Sequence, residues 1–326
     1  MIVTEKLREN IFWFVDFVKG ASVRKHLNEI KIVFDDTENF PRYKNIKLES
    51  ILSYSTKNVP YYADFKDRPI ELFPVIDKNR LKSNMEMFCS KQIKPNERIS
   101  ATTSGSTGTP FTVYHNKQKK FRNSADTIYF AHLGGYNLGR KLYYLKIWSK
   151  YNKKSRLERF MQNIEPIDVL NLKEDAQFVL EKLKSNKNPA ACLGYTSAFE
   201  TICKFLDCHP SATGNFNISS IITMSESLDD YTKLTAAKYF SCPVLSRYSN
   251  IENGILAQQT ISSPYDFIIN TASYYIEILH QDNDTVLDKG EQGRIVVTDY
   301  FNLAMPMIRY DTGDIGVMEE RLVDEK

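Results

Sequence analysis

Apolar and polar positions alternate along this chain in three different rhythms. Over residues 1–95 the apolar positions fall at helical spacing, as at Leu48, Ile51, Leu52 and Tyr54. The run Asn58-Val-Pro-Tyr-Tyr stops that helix through Pro60, and Leu72 to Lys78 reads as a short extended piece before a helix over 79–87. A short alternating strand, Phe111-Thr-Val-Tyr, is followed by a helix over Lys117 to Leu133 and an aromatic strand over Lys141 to Trp148. From Leu172 the pattern is regular: helix 173–184, strand 190–193, helix 197–205, strand 220–224, helix 228–239, strand 243–248. Ser227 and Asp230 read as the capping pair of that last helix. Strands alternating with helices at this spacing predict a parallel sheet with right-handed crossovers. Beyond it, strands at 267–270, 274–279 and 293–298 are separated by Gln281-Asp-Asn-Asp and Lys289-Gly-Glu-Gln-Gly, which predicts a small antiparallel, barrel-like sheet. Pro306 to Asp314 reads as a polar turn after an apolar run. The chain thus divides into a helical region (1–95), an α/β core (96–250) and a β-rich part (251–326), with mixed or parallel sheets flanked by helices.

One stretch fits none of these rhythms. Ile99-Ser-Ala-Thr-Thr-Ser-Gly-Ser-Thr-Gly-Thr-Pro-Phe111 sets four hydroxyl residues, Thr103, Ser104, Ser106 and Thr107, around Gly105, then adds Gly108 and Pro110. Small hydroxylated residues bury little area and glycine costs backbone entropy, so neither helix nor strand selects this composition. A loop that wraps an anion with N–H groups and hydroxyls does select it. A plain Ser/Thr/Gly linker has the same composition. The predicted sheet bears on the choice, because ligands of parallel sheets sit at the carboxyl ends of the strands. Three polar segments fall there: Gly194-Tyr195-Thr196, Ser225-Glu226-Ser227, and Tyr248-Ser249-Asn250-Ile251-Glu252.

A length of 326 residues with 42% hydrophobic content supports a sizeable core in one to three units. A net charge of +3, without a basic run interleaved with aromatics, argues against a nucleic-acid partner. The Lys/Arg-dense span Ser149 to Arg159 reads as a solvated basic loop, the alternative being a contact for an acidic substrate. Cys89, Cys192, Cys203, Cys208 and Cys242 show no framework spacing, which fits free thiols in a reducing cytoplasm. No stretch approaches the roughly 20 apolar residues of a membrane span. Ile11 to Val18 is short and carries Asp16; it reads as a helix docked on its own protein, with contact to the inner membrane face as the competing reading. Cys203, Cys208 and His209 lack the second half-site of a zinc centre. A Walker loop fails because Gly105 and Gly108 are too close and Thr109 follows. There is no Gly-x-Gly-x-x-Gly, and no Gly-x-Ser-x-Gly elbow.

The order of the surviving pieces is informative. Thr103-Ser-Gly-Ser-Thr-Gly-Thr-Pro110 resembles the phosphate loop of the adenylate-forming superfamily of acyl-CoA synthetases. Tyr248 to Glu252 resembles its Tyr-Gly-x-Thr/Ser-Glu motif, and Met307-Ile-Arg-Tyr-Asp-Thr-Gly-Asp314 its Tyr-Arg-Thr-Gly-Asp motif. Asn58-Val-Pro-Tyr-Tyr and Phe73-Pro-Val-Ile-Asp-Lys are similar to the N-terminal region of the phenylacetate–CoA ligase and CapK-type branch. The resemblance spans essentially the whole chain. It implies the large N-terminal domain of an adenylate-forming enzyme, with 96–250 as a nucleotide-binding core. It implies attack of a carboxylate on the α-phosphate of ATP, giving acyl-AMP and pyrophosphate, in capsular or surface polysaccharide biosynthesis.

The same resemblance assigns parts. Thr103, Ser104, Gly105, Ser106, Thr107 and Gly108 would hold the β- and γ-phosphates, with Thr103 acting in catalysis. Glu252 would be catalytic by ligating Mg²⁺ that bridges the phosphates. Tyr248 and Ser225-Glu226-Ser227 would line the adenine, Asp314 would hold the ribose, and Gly194, Tyr195 and Thr196 would meet the small carboxylic acid. Coenzyme A, a carrier protein and a sugar are the open acceptors. Several positions depart from the pattern: Thr109 stands for Lys, Ser249 for Gly, Ile251 for a hydroxyl residue and Asp311 for Arg. Relatives continue past Thr-Gly-Asp into a small domain that delivers a catalytic Lys, whereas this sequence stops at Lys326. The expectation is that this domain is absent here, with three readings open: the sequence is a truncated piece, another polypeptide completes it, or the enzyme is weak or inactive. The departures motivate a second reading, a non-catalytic nucleotide-binding or scaffold protein on the same fold.

Overall fold

The computed structural model describes residues 3–103, 111–148 and 154–319. Two compact units interleave along the chain. One comprises 1–27, 124–250 and 254–270; the other comprises 28–123, 251–253 and 271–326. Twelve strands are described: β1 (Ile99–Thr103), β2 (Phe111–His115), β3 (Lys141–Lys146), β4 (Ile164–Asp168), β5 (Ala190–Tyr195), β6 (Ile218–Met224), β7 (Val244–Asn250), β8 (Gly254–Gln258), β9 (Ile268–Ile269), β10 (Tyr274–Leu279), β11 (Gln292–Asp299) and β12 (Tyr310–Val317).

The first unit holds the seven-stranded sheet β4-β3-β5-β6-β7-β8-β9. Strands β4, β3, β5, β6 and β7 run parallel, as the strand–helix alternation predicts, and β8 and β9 close one edge antiparallel. One face of this sheet buries Tyr143, Leu145, Cys192, Ile221 and Val244 in a core shared with the helices Leu172–Lys184, Thr196–Cys208 and Asp230–Phe240. Cys203, weighed above as a metal ligand, is wholly buried in that core, where burial pushes its thiol up to about 12. The helix expected over 228–239 starts at Asp230, and its cap is Asp229, whose carboxylate accepts from the Thr232 N–H, rather than Ser227. Asp is a strong N-cap because its oxygen satisfies an orphan donor of the first turn.

Helix Val3–Val18 contains the aromatic run of the N-terminus. Its Asp16 accepts from the N–H groups of Val23 and Arg24 at 3.0 Å each, so the acid inside the apolar run caps the following helix, Ser22–Asp35. Phe14, Phe17 and Val18 stay exposed. Among the described residues no helix is long and apolar enough to cross a membrane. The basic span read as a loop becomes helix Arg156–Gln162 in its second half, opened by a capping box between Ser155 and Glu158; residues 149–153 lie outside the described residues.

The second unit is organised around the three-stranded antiparallel sheet β10-β11-β12 and the pair β1-β2. Its core gathers Tyr62, Phe73, Phe88, Phe111, Met305, Met307 and Ile308. The aromatic rings interlock: Tyr62 sits edge-on to Tyr61, and Phe65 stacks obliquely on Phe73. Two stretches read as non-strand from the sequence are strands here. Ile99–Thr103 pairs with Phe111–His115, and the second half of the expected turn 306–314 enters β12. In both cases ladder hydrogen bonds to a partner outweigh an unfavourable local composition.

Candidate functional site

The carboxyl ends of β5, β6 and β7 lie side by side, because Tyr195 pairs with Met224 and Met224 with Arg247. The three polar segments named above leave these strand ends. Hydrogen bonds join two of them: Thr196 Oγ1 donates to the Glu226 carbonyl at 3.1 Å, and the Glu226 carboxylate takes the Ser197 N–H at 2.7 Å and its hydroxyl at 3.0 Å. Glu226 therefore covers the N-terminus of helix Thr196–Cys208, where a carboxylate meets unpaired N–H groups and the positive end of the helix dipole. Ser225, Glu226 and Ser227 are exposed, and Ser225 adopts a left-handed backbone with φ of 70°. Tyr248 is half-buried at a register break between β7 and β8. Gly194 is buried for a packing reason: a Cβ there would stand 2.6 Å from the Leu145 carbonyl and 3.2 Å from Phe199 Cε2. Tyr195 is half-buried, and burial with the nearby Glu226 charge raises its phenol pKa.

In the second unit, the turn 251–253 is held by its backbone. His115 Nε2 meets the Glu252 carbonyl at 2.7 Å. A carbonyl only accepts, so Nε2 carries the proton. Burial, aided by the Lys119 charge, holds the imidazole down to about 4, so it is neutral at pH 7. The neighbouring carbonyl of Asn253 accepts from the Tyr274 hydroxyl at 2.6 Å, and that hydroxyl accepts from Lys119 Nζ at 3.0 Å. Lys119 also forms an ion pair with Asp299 at 2.6 Å, both side chains being essentially inaccessible. Asp299 in turn accepts from the N–H groups of Phe301 and Asn302. Glu252 itself is 6% exposed, and its carboxylate makes no hydrogen bond or ion pair among the described residues. An anionic oxygen pair left without a partner on a fixed backbone suits a hard cation, which takes one or two carboxylates plus phosphate and water oxygens.

The segment 307–314 splits into two halves with different tasks. Arg309, 1% exposed and at φ of 52°, pairs with Glu277 at 3.1 Å and donates to the carbonyls of Glu71 and Phe73. Asp314 lies exposed on β12, its N–H donating to Thr312 Oγ1 at 3.2 Å. Between them, Asp311 accepts from the Gly313 N–H and forms an ion pair with Arg294 at 2.6 Å. The negative charge that departs from the family pattern is thus neutralised within its own sheet. Thr103 ends β1 opposite Phe111, so paired strands flank the hydroxyl-rich stretch. Ser104, Gly105, Ser106, Thr107 and Gly108 lie outside the described residues.

No family model matches the chain. Its sequence is 23% identical over 329 aligned positions to Protein CapK of Staphylococcus aureus, covering 94% of this chain and 69% of that protein. Among solved structures it is similar to a 2-hydroxyisobutyryl-CoA ligase in complex with 2-HIB-AMP and CoA in the thioesterification state, with a TM-score of 0.68 and 15% identity. That match covers 86% of this chain and 64% of the ligase, so this chain spans under two thirds of that enzyme. It is also similar to VinN in complex with L-aspartate, with a TM-score of 0.51, 17% identity and coverage of 74% of this chain and 62% of VinN. The chain therefore shares the fold of these ligases.

Within this fold, the turn 251–253 carries Glu252, and its carbonyls are held by His115 and Tyr274. The sequence pointed to Glu252 through its motif, but the residues that hold the turn went unread. His115, Lys119, Tyr274 and Asp299 come from four separate elements spread over more than 180 positions. Only one signal was available in advance, an isolated His ending the alternating strand Phe111–His115. Arg247 was also passed over. It immediately precedes Tyr248 and is buried at the strand end.

Proposed function

We propose that this chain binds ATP with Mg²⁺ and activates a small carboxylic acid as its acyl-adenylate. The observation that carries the reading is the Glu252 carboxylate, unpaired among the described residues, on a turn whose flanking carbonyls are fixed by His115 and Tyr274. Relatives on this fold are described with acyl-AMP and CoA bound, and an RpMatB-BxBclM chimera with ATP bound.

In this reading Glu252 is the protein's ligand to Mg²⁺, and the ion supplies charge neutralisation on the phosphates when bound. His115 keeps the Glu252 backbone in place and, being neutral, adds no competing positive charge next to the cation. Tyr248 offers an aromatic face to adenine, and Asp314 offers carboxylate oxygens to the ribose hydroxyls. The hydroxyls and N–H groups of 103–108 steady the departing pyrophosphate. The acid approaches from Tyr195 and Thr196. The acyl acceptor, coenzyme A among the candidates, then takes the activated group, and the same reading places the reaction in capsular or surface polysaccharide biosynthesis, supported by the resemblance to CapK-type proteins. The Asp311–Arg294 pair removes the main electrostatic objection to nucleotide binding, which favours this reading over an inert scaffold.

The test is ATP–pyrophosphate exchange by the full-length protein across an acid panel. Exchange with at least one acid, reduced on the order of 10²–10³-fold by Glu252→Ala, is the expected result. Absence of exchange with every acid, together with absence of Mg-ATP binding, would sink the proposal.

A further inference from the structure

The face of the large sheet opposite its helical core carries an ordered polar row. Pairing sets Tyr195 beside Met224, Met224 beside Arg247, and Arg247 beside Gln258, so these positions form one row across four neighbouring strands, with Tyr195, at its strand end, also packing against the helical core. Tyr144 pairs with Leu193, two residues before Tyr195, and so belongs to that face one layer further in. Its hydroxyl reaches Met224 Sδ at 3.9 Å.

Arg247 is the unusual member. It is 7% exposed, yet no carboxylate pairs with it among the described residues. Its one hydrogen bond there runs from Nε to Gln258 Oε1 at 2.7 Å. Gln258, fully buried, is locked in turn by donating from Nε2 to the Phe130 carbonyl at 2.7 Å. The guanidinium is thereby aimed while its two terminal nitrogens keep their donors available. Burial pulls its pKa down to about 10, with only the Tyr144 hydroxyl opposing that effect. A second cation stands on the same face: Lys146, two residues beyond Tyr144, has its ammonium 4.9 Å from the Tyr144 ring and 4.4 Å from that of Trp148. Burial and Lys154 depress its pKa too, and it has no acidic partner among the described residues. Glu226, the acid at the neighbouring strand end, is committed to Ser197.

A buried cation without a counter-ion is costly, and structural arginines are normally paired. An aimed guanidinium with the Tyr144 phenol near it, and with Tyr195 and Lys146 further along the same strand-end row, is instead suited to a planar anion. We infer that Arg247, with Tyr144, Tyr195 and Lys146, binds a second carboxylate on the acid substrate, so that the preferred acids are dicarboxylic. This rests on the adenylation reading for what happens to the other carboxylate. The reacting carboxylate loses its own charge when its oxygen bonds to the α-phosphorus and pyrophosphate leaves, giving a mixed anhydride, whereas a distal carboxylate stays anionic and keeps the guanidinium neutralised throughout.

The experiment measures binding by calorimetry and thermal shift on the full chain. Diacids from malonate to adipate are compared with monoacids of equal length, with inorganic phosphate and with Mg-ATP. At least one diacid should bind about tenfold or more tightly than its monoacid partner. Arg247→Gln should erase that difference by weakening the diacid about 10- to 100-fold, Arg247→Lys should keep part of it, and Mg-ATP binding should not change. If the glutamine variant does not fold, Tyr144→Phe and Arg247→Lys provide the same comparison with smaller losses. Equal binding of diacid and monoacid, no diacid binding, or a diacid preference that survives Arg247→Gln overturns the inference. So does a loss confined to phosphate or Mg-ATP, which would make Arg247 a phosphate ligand. Failure of Mg-ATP binding in the parent protein would strike the adenylation reading while leaving the diacid comparison to be judged by itself.

Discussion

His115 Nε2 stands 2.7 Å from the carbonyl oxygen of Glu252, tying positions 137 residues apart. The bond requires a proton on Nε2, and burial, which holds the pKa near 4 against an ordinary 6.5, keeps the ring otherwise neutral. The sign of the resulting pH dependence is fixed. The unfolded chain takes up a proton at this site below pH 6.5 and the folded chain does not until about pH 4. Stability is therefore complete above 6.5 and falls through that window, by on the order of 3 kcal/mol in total. His115→Gln retains an N–H donor at a similar reach without a titratable ring. Urea unfolding between pH 4 and 8 should show a flatter profile for the variant, and equal slopes would contradict the assignment.

Behind that bond, the Lys119–Asp299 pair is almost wholly excluded from water. Removing one partner strands a buried charge, at a cost of about 3–5 kcal/mol. Lys119→Met should lower stability by that amount. The double variant Lys119→Met with Asp299→Leu should recover a good part of it, since two apolar groups leave no uncompensated charge. Denaturant melts of the single and double variants provide the check. A double variant as unstable as the sum of the singles would mean that the contacts of Asp299 to Phe301 and Asn302 matter more than the ion pair.

Gly194 was read from the sequence as an acid-binding position, and the structure supplies a different reason for glycine there. Gly194→Ala would press a methyl group against the Leu145 carbonyl and Cβ, at 2.6 and 2.7 Å, where backbone has to shift. Overpacking of this kind costs about 1–3 kcal/mol. A thermal melt of the alanine variant should show the loss in the absence of any ligand; an unchanged melt would return Gly194 to the binding role.

The parallel sheet was legible because each βα unit repeats a local pattern, apolar run then amphipathic helix, that needs no knowledge of distant contacts. A candidate site was nameable where a motif is contiguous, as at Tyr248 to Glu252. It was not legible where function depends on residues meeting across the fold. His115, Lys119, Tyr274 and Asp299 are individually ordinary, and only their convergence on 251–253 gives them a task. Glu226 illustrates the converse. Its place at a strand end suggested ligand contact, yet the start of the neighbouring helix takes its carboxylate. Strand β4 escaped notice because Ile164-Glu-Pro-Ile-Asp is polar and short, and it forms on the sheet edge next to β3, where a proline is tolerated.

The segment Met307 to Asp314 allows the sharpest separation of anchoring from ligand contact. Arg309 is buried, left-handed, and bonded to Glu277, Glu71 and Phe73 within its own unit. Arg309→Met leaves Glu277 charged in a site where burial already raises its pKa, so the variant should lose about 3–5 kcal/mol. Part of that loss should be relieved below neutral pH as Glu277 takes up a proton. Asp314 is exposed five residues later, and Asp314→Ala should leave the melting temperature close to that of the parent while weakening Mg-ATP about tenfold through the lost ribose contact. Melting curves and ATP titrations on the two variants test the division directly. If Asp314→Ala melts early with unchanged ATP affinity, the exposed half of the motif is structural as well, and the ribose assignment falls.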